Sequence, residues 1–502
     1  MKSKMIVVLL AATFVVSSLA GCSNSSNTSN SSTVDIEVTE NITDPVLNFD
    51  KDNYKTETIN VNGQDVTFRA YENVVYVAQP VDTKYQCMNI YIPEAYFNGE
   101  SIGDFTADTA PIFLPNNVDG YMPAEPETLS SNSQSEGTPN SLLMALQQGY
   151  VVASPGARGR TNENSDGTYY GKAPAAIVDL KAAVSYLHYN DDAMPGTADK
   201  IISNGTGAGG AMSSLLGATG NNEDYKPYLQ QLGAASASDA VYAASCYGPT
   251  TNLDNADMGY EWLFNGINNY TTNNTSLTQT ADQMKYSDEL KAAFPAYING
   301  LNLLDQEGNP LTLDDSGNGP FKDYVKSYII KSVQSAIDSG KDVSDITWAT
   351  IQDGAVTDID FNGYINYISR AKAAPAFDKV DLSNGNATAE NSLFGSENTD
   401  NQHFTEFSMT NDTSGTGTIA DSQVIKMMNP MNYIGVDGSD MANYWRIRQG
   451  LKDNDVAIST PVILTNELQG AGADVDFAVS WNQGHSGDYD LDELFQWMND
   501  IV

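Results

Sequence analysis

The chain has 502 residues, with 64 Asp and Glu against 25 Lys and Arg, a formal charge of −39. Its length admits one large α/β domain with an insertion, or two to four domains of about 150 residues, and 41% hydrophobic residues exclude wholesale disorder. So acidic a surface repels phosphate backbones and anionic headgroups, which excludes nucleic acid as a partner and favours a neutral or weakly charged small molecule.

The N-terminus reads as a targeting segment. Lys2 and Lys4 precede an apolar run from Met5 to Leu19, and Leu19-Ala20-Gly21-Cys22 resembles a bacterial lipobox. The expectation is a signal peptide over 1–21, lipidation at Cys22, and a flexible Ser/Asn/Thr-rich tether over 22–44. The body then sits at the cell surface or on the periplasmic side, with acyl chains as the anchor. Only Cys87 and Cys246 remain, as two buried thiols or one disulfide, and no C-x-x-C spacing suggests zinc or redox chemistry. No metal and no cofactor is expected.

Period-two alternation marks strands between Asn60 and Tyr96, and Pro111–Pro115 reads as a buried strand. A helix over 141–148 and a strand over 150–153 follow. Residues 175–190 carry Ile177, Leu180, Ala183, Val184 and Leu187 at helical spacing, with Asp179 and Lys181 expected to face water. A short strand at Ile201–Ile202 leads into a glycine-rich turn and a helix from about Ala211. From 252 to 422 Asn, Thr, Asp and Gly dominate, with helical pieces at 321–337 and 361–372 and no strand-like run. The α/β pattern returns at Pro461–Leu464 and Asp474–Val479 and closes with an amphipathic helix over 491–502. The predicted fold is α/β, a mostly parallel sheet with helices on both faces. Its core spans 45–251 and 423–502, and a helical, loop-rich lid spans 252–422.

The turn Asn204-Gly205-Thr206-Gly207-Ala208-Gly209-Gly210 has the layout of a nucleophile elbow, where G-x-S-x-G presents a serine above the sheet. Here Gly207 occupies the nucleophile position, and glycine has no side chain to attack with. A dinucleotide-binding fingerprint is the weaker rival, since no matching βαβ opening precedes it. Among three histidines, His188 lies on a helix and His403 in the insertion. His485 follows the last strand, where a hydrolase triad places its base, and Asp453 lies upstream as a suitable acid.

These residues carry a family resemblance. From about Ala110 onward the chain resembles the bacterial subtype B tannases and the feruloyl-esterase-like α/β-hydrolases. The resemblance rests on Gly120-Tyr121-Met122-Pro123, Pro155–Arg160, the elbow, Thr251–Asp257, Pro375–Asp378, Asn429–Met431, Trp445–Arg448, Asp474–Phe477 and His485–Asp490. It implies an α/β-hydrolase fold, ester hydrolysis through an acyl-enzyme, His485 as general base and Asp453 as its orienting acid. It further implies that Asp455, Lys372 and Glu390 contact the phenolic ring of an ester ligand, and that the oxyanion hole lies at Gly120 and Ala208. Two positions depart from the family. Gly207 replaces serine, and Asp119 stands where a second oxyanion-hole glycine is expected, placing a carboxylate where developing negative charge needs stabilising. Three readings stay open: a degenerate homologue that binds a phenolic or other ester-like ligand, a hydrolase with a non-standard nucleophile, or a surface interaction module.

Overall fold

The computed structural model describes residues 45–502 apart from 62, 130–139, 273, 274 and 384; Cys22, the predicted signal peptide and the tether lie outside the described residues. Short runs of β-branched and aromatic residues build a nine-stranded sheet in the order β1-β2-β3-β5-β4-β6-β7-β8-β9. The strands are β1 Lys55–Val61, β2 Gln64–Val75, β3 Cys87–Pro93, β4 Pro111–Pro115, β5 Val151–Pro155, β6 Thr197–Thr206, β7 Ala243–Tyr247, β8 Tyr444–Gly450 and β9 Asp474–Ser480. The pairs β1–β2, β2–β3 and β3–β5 are antiparallel, and the rest are parallel. With its helices, this is the α/β-hydrolase fold.

Because both faces are covered, the central strands are apolar throughout rather than alternating. Ile112, Leu114, Val151, Ala153 and Ile201 join the larger core. Phe113, Val152 and Ile202 point the other way, onto helix α1 (Ser141–Gln147) and the C-terminal helix Leu491–Ile501 through Leu142, Leu146, Leu494 and Phe495. Asn140 caps α1 by accepting the Leu143 N–H at 2.8 Å. Helix α2 (Ala175–Tyr189) and helix α3 (Ala208–Ala218), which starts directly at the elbow, belong to the larger core.

Helix α2 departs from expectation in an instructive way. Asp179 and Lys181 do not face water; both are completely buried. Asp179 receives Arg158 Nη2 at 2.8 Å, the Arg158 backbone N–H at 2.8 Å and Gln86 Nε2 at 2.8 Å. Lys181 Nζ meets Asp239 at 2.9 Å and the Thr219 carbonyl at 2.7 Å. Partners distant in sequence cover the polar face of the helix, so charge here does not report solvent.

No strand of the main sheet falls between β7 and β8 among the described residues. The lid begins with helix α4 (Leu253–Phe264), followed by α5 (Ala281–Leu301), α6 (Pro320–Asp338) and α7 (Phe361–Ile368). Trp262 of α4 stacks with Phe294, Phe321 and Phe361 from the three others, which gives the lid its own aromatic core. Two antiparallel hairpins, Asn269–Thr272 with Thr275–Thr278 and Ala349–Gln352 with Ala355–Ile359, correct the expectation of a strandless insertion. The first is polar and largely exposed, so hydropathy carries no trace of it, whereas the second has Val356 and Ile359 buried and turns at Asp353-Gly354, a local hairpin signal. Helix α7 ends at Ile368, with Ser369 at φ 59°, so Lys372 lies beyond it rather than in it. The apolar run Pro461–Leu464 sits inside helix α8 (Ser459–Gly470). Cys87 and Cys246 are free and buried. No helix among the described residues is long and apolar enough to cross a membrane.

The buried pairs generate a stability test. Lys181→Met leaves the Asp239 carboxylate buried without its cation and is expected to destabilise by about 3–5 kcal/mol. Calorimetry should show a clear fall in Tm, and Lys181→Met with Asp239→Leu should recover most of it. A single variant as stable as the wild type would contradict the burial of this pair.

Candidate active site

Strand β6 ends at Thr206, and the chain reverses through Gly207, at φ 58° and ψ −113°, straight into α3. An L side chain is strained in that conformation. The turn is tight as well, since a Cβ on Gly205 would lie 2.3 Å from the Gly209 carbonyl oxygen. Gly207 is pinned by its N–H to the Tyr247 carbonyl at 2.8 Å and by its carbonyl to Ala211 N–H at 2.9 Å and Thr250 N–H at 3.1 Å. The elbow thus points the positive end of α3 at whatever sits above it.

Two loops from the neighbouring strands β8 and β9 face the elbow. Leu451 N–H bonds the Ser480 carbonyl at 2.9 Å and Lys452 N–H bonds the Gln483 carbonyl at 2.8 Å, so the loops run locked together. This brings Asp453 Oδ2 within 2.9 Å of His485 Nδ1. Asp453 is 2% exposed, and its other oxygen accepts Asp455 N–H at 2.9 Å and Val456 N–H at 3.1 Å. Its orientation is therefore fixed, and the acceptor makes Nδ1 the protonated ring nitrogen, leaving Nε2 toward the elbow. A Cβ on Gly207 would lie 2.8 Å from that Nε2. Burial of the imidazole opposes its charge, but the hydrogen bond and charge of Asp453, then the charge of Asp455, outweigh this and hold the His485 pKa above its ordinary value.

A cavity of about 550 Å³ opens over the elbow, lined by Asp119, Gly120, Tyr121, Gly207, Ala208, Glu390, Asp455 and His485 among others. It shares Gly120, Glu390 and Asp455 with a second cavity of about 850 Å³, under the lid, which Lys372 also lines. Lys372 Nζ lies 3.0 Å from Asp455 Oδ2 and 4.3 Å from the centre of the Phe377 ring. Asp455 Oδ2 is in turn 4.0 Å from His485 Nε2. The positions singled out in the sequence thus converge, apart from Cys22. Asp119 is exposed at the rim. Arg160 holds the segment beside it, through Nε to the Gly120 carbonyl at 2.8 Å and its N–H to the Tyr121 carbonyl at 2.8 Å.

Several groups essential to this geometry went unread in the sequence. Tyr260, fully buried in α4, donates to the Asn454 carbonyl at 2.9 Å and accepts the N–H groups of Ala371 and Lys372, each at 3.1 Å. One hydroxyl therefore ties the segment bearing Lys372 to the loop bearing Asp453 and Asp455. Asp490 receives Tyr247 OH at 2.6 Å and Arg446 Nη2 at 2.5 Å, anchoring the far end of the His485 loop to β7 and β8. Asp488, whose pKa burial pushes up, joins Asn204 at 3.0 Å and Ser141 at 2.8 Å. The signal for Asp490 was present in the arginines of β8; nothing local distinguished Tyr260. The remaining histidines lie elsewhere, His188 half-buried with Nε2 2.9 Å from the Ala240 carbonyl oxygen, His403 buried between Asp378 at 3.0 Å and Asp412 at 3.3 Å. Among the described residues no cluster of His, Cys, Asp and Glu is arranged to hold a metal ion.

With only three histidines, ring NMR can follow His485 directly. Its midpoint should lie above the ordinary ~6.5, fall in Asp453→Asn, and rise in Lys372→Met, because the lysine charge opposes protonation. Since the folded value is the raised one, the stabilisation from this bond is complete below ~6.5 and fades as the pH rises through the folded midpoint. A midpoint unmoved by Asp453→Asn would contradict the coupling.

Comparison with known proteins fits this geometry. The BD-FAE family model matches residues 129–299. No curated protein sequence matches. Among solved structures, the tannase of Fusobacterium nucleatum is 47% identical, with a TM-score of 0.86 over 91% of this chain and 99% of that one. The tannase of Lactobacillus plantarum is 40% identical, with a TM-score of 0.86 over 91% and 98%. A tannin acyl hydrolase in complex with ethyl gallate matches equally, at 40% identity and a TM-score of 0.86 over 91% and 98%. The chain belongs to the bacterial tannase family of feruloyl-esterase-like α/β-hydrolases.

Proposed function

We propose that this tannase-family chain binds phenolic esters in the cleft beneath its lid and has lost the serine-dependent acyl transfer of an ester hydrolase. One juxtaposition carries the reading. The His485–Asp453 bond, the Lys372–Asp455 pair and Glu390 surround one continuous cleft, while the elbow beneath them ends in glycine. Carboxylates at Asp455 and Glu390 accept hydrogen bonds from phenolic hydroxyls, and Lys372 donates to them, so the cleft suits a polyhydroxylated aromatic ring. Gly120 and Ala208 take the place of the oxyanion hole at the start of α3, and Asp119 at the rim weakens it electrostatically.

The test combines binding with repair. Calorimetry should show ethyl gallate bound by the wild type and lost in Asp455→Ala with Lys372→Ala. Gly207→Ser should then raise hydrolysis of ethyl gallate by about 10²–10⁴-fold, the range for general-base assistance, once the His485 ring withdraws to admit the new side chain. The strained backbone makes this serine cost about 1–3 kcal/mol, so Tm is measured alongside rate. Adding Asp119→Gly should raise the rate further and non-additively, because both changes serve one transition state. A folded double variant that binds ethyl gallate yet leaves it intact would refute the assignment of position 207.

The location follows from the N-terminal motif. We place the body outside the cytoplasmic membrane, held by acyl chains on Cys22. In cells labelled with a palmitate analogue, the wild type should carry label and sediment with membranes. Cys22→Ala should carry none and either stay unprocessed or appear in the soluble fraction; an unlabelled wild type would overturn the anchor.

A further inference from the structure

Glycine at position 207 leaves the space above the elbow open, and the imidazole of His485 fills it. His485 Nε2 lies 2.8 Å from where a Cβ on Gly207 would be, closer than real Cβ contacts come. The ring tip therefore occupies space that any side chain at this position would claim. Nδ1 is committed to Asp453 at 2.9 Å, so the lone pair is on Nε2, beside the cavity that Gly120 and Ala208 also line. The hydroxyl next to the elbow tip in sequence, Thr206 Oγ1, is lodged against Gly487, where it lies 1.8 Å from the site of an added Cβ.

We infer that His485 Nε2 is itself the nucleophile of this site, and that the esters it cleaves are aryl esters with phenolate leaving groups rather than alkyl esters. This deepens the phenolic-ester reading above and rests on it. In the first half-reaction the Nε2 lone pair adds to the ester carbonyl carbon, and the carbonyl π pair moves onto oxygen at the α3 N-terminus. When that pair returns, the carbon–aryloxy bond breaks, its electrons leave on the phenolate, and the acyl group stays on Nε2. Water then adds to the acyl carbon, the carbon–Nε2 bond breaks, and its pair returns to the ring. The proton lost by water balances the one taken up by the phenolate, so the products are the acid and the phenol. Histidine is an accepted covalent nucleophile.

The restriction to aryl esters follows from the double duty of the ring. In a serine hydrolase the histidine protonates the departing alcohol. A ring whose Nε2 is bonded to the acyl carbon has no proton on that side to give, and its Nδ1 proton is held by Asp453 on the far side, so the leaving group must depart as an anion. A phenol, with a pKa of about 10, does so; an alkoxide, nearly as basic as hydroxide, does not, and the adduct reverts by expelling the imidazole.

The experiment uses the intact protein with two probes, the 4-nitrophenyl ester of gallic acid and ethyl gallate. The aryl ester should give a burst of nitrophenolate close to one equivalent. Acid quenching followed by peptide mass analysis should place the galloyl mass on the peptide containing His485, and hydroxylamine should divert it to the hydroxamate. His485→Gln should lose on the order of 100-fold or more of this rate, and Gly207→Ser should move the acyl mass onto residue 207 and extend turnover to ethyl gallate. Steady release without a burst or acyl-histidine would mean that water attacks directly, and comparable wild-type turnover of both esters would remove the leaving-group argument; either overturns the inference. Calorimetric binding of ethyl gallate separates the two claims. Binding without acylation leaves the cleft reading standing and the nucleophile refuted, whereas no binding removes both.

Discussion

The bond of 2.9 Å between His485 Nδ1 and Asp453 Oδ2 is the constraint around which the molecule is arranged. It joins loops that leave two adjacent parallel strands, and parallel pairing of β8 with β9 delivers both loops to the same end of the sheet. The elbow reaches that end by the same rule, since β6 pairs with β7 and β7 with β8, Thr206 opposite Tyr247 and Tyr247 opposite Arg448. Each loop is then fastened from a second side. Asp490 is held by Tyr247 and Arg446 beneath, while Tyr364 and Tyr260 of the lid bond the Leu451 and Asn454 carbonyls from above. A hydrogen bond that breaks if either loop drifts by about an ångström is thereby kept in register by ordinary hydrogen bonds.

None of those fastenings involves a side chain at position 207. The His485–Asp453 arrangement therefore does not depend on which residue stands at the elbow. The ring is oriented by Asp453, and its Nε2 lies 2.8 Å from where a Cβ on Gly207 would be. Glycine also removes the strain that an L residue bears at φ 58°. The electrostatics point the same way. Asp453 and Asp455 favour the protonated ring, Lys372 opposes it, and the balance leaves an imidazole more basic than usual in a cleft rich in hydrogen-bond acceptors.

What could be read from the sequence is what is local in it. The β6–elbow–α3 unit is legible because small residues at fixed spacing have one steric purpose, and the His485 loop because so few histidines compete for the role. Hydropathy misled wherever charge and burial part company. Asp179 and Lys181 mimic a solvent face, yet Arg158 and Asp239 reach them from elsewhere in the chain. Strand β8 escaped notice because Arg446 and Arg448 interrupt its apolar pattern, although both are buried and spent on Asp490 and Asp476. The hairpin at Asn269–Thr278 is polar enough to look like a loop, whereas the one at Ala349–Ile359 is legible in its Asp353-Gly354 turn. Tyr260 was invisible because its role lies in three backbone groups that only the folded chain brings to one oxygen.

The lid fixes Lys372 through groups that its own packing requires. Lys372 is placed by Tyr260 and by Arg370, whose Nε donates to the Lys372 carbonyl at 2.7 Å while its guanidinium pairs with the buried Glu261. Breaking such a buried pair on one side costs about 3–5 kcal/mol, a sum comparable with the whole stability of a domain. The groups that position the ligand-facing lysine are thus the same groups that hold α4 in the lid. None of these contacts involves residue 207. Position 207 contributes no side chain to these fastenings, so the lid and the His485 loop are held in place independently of it.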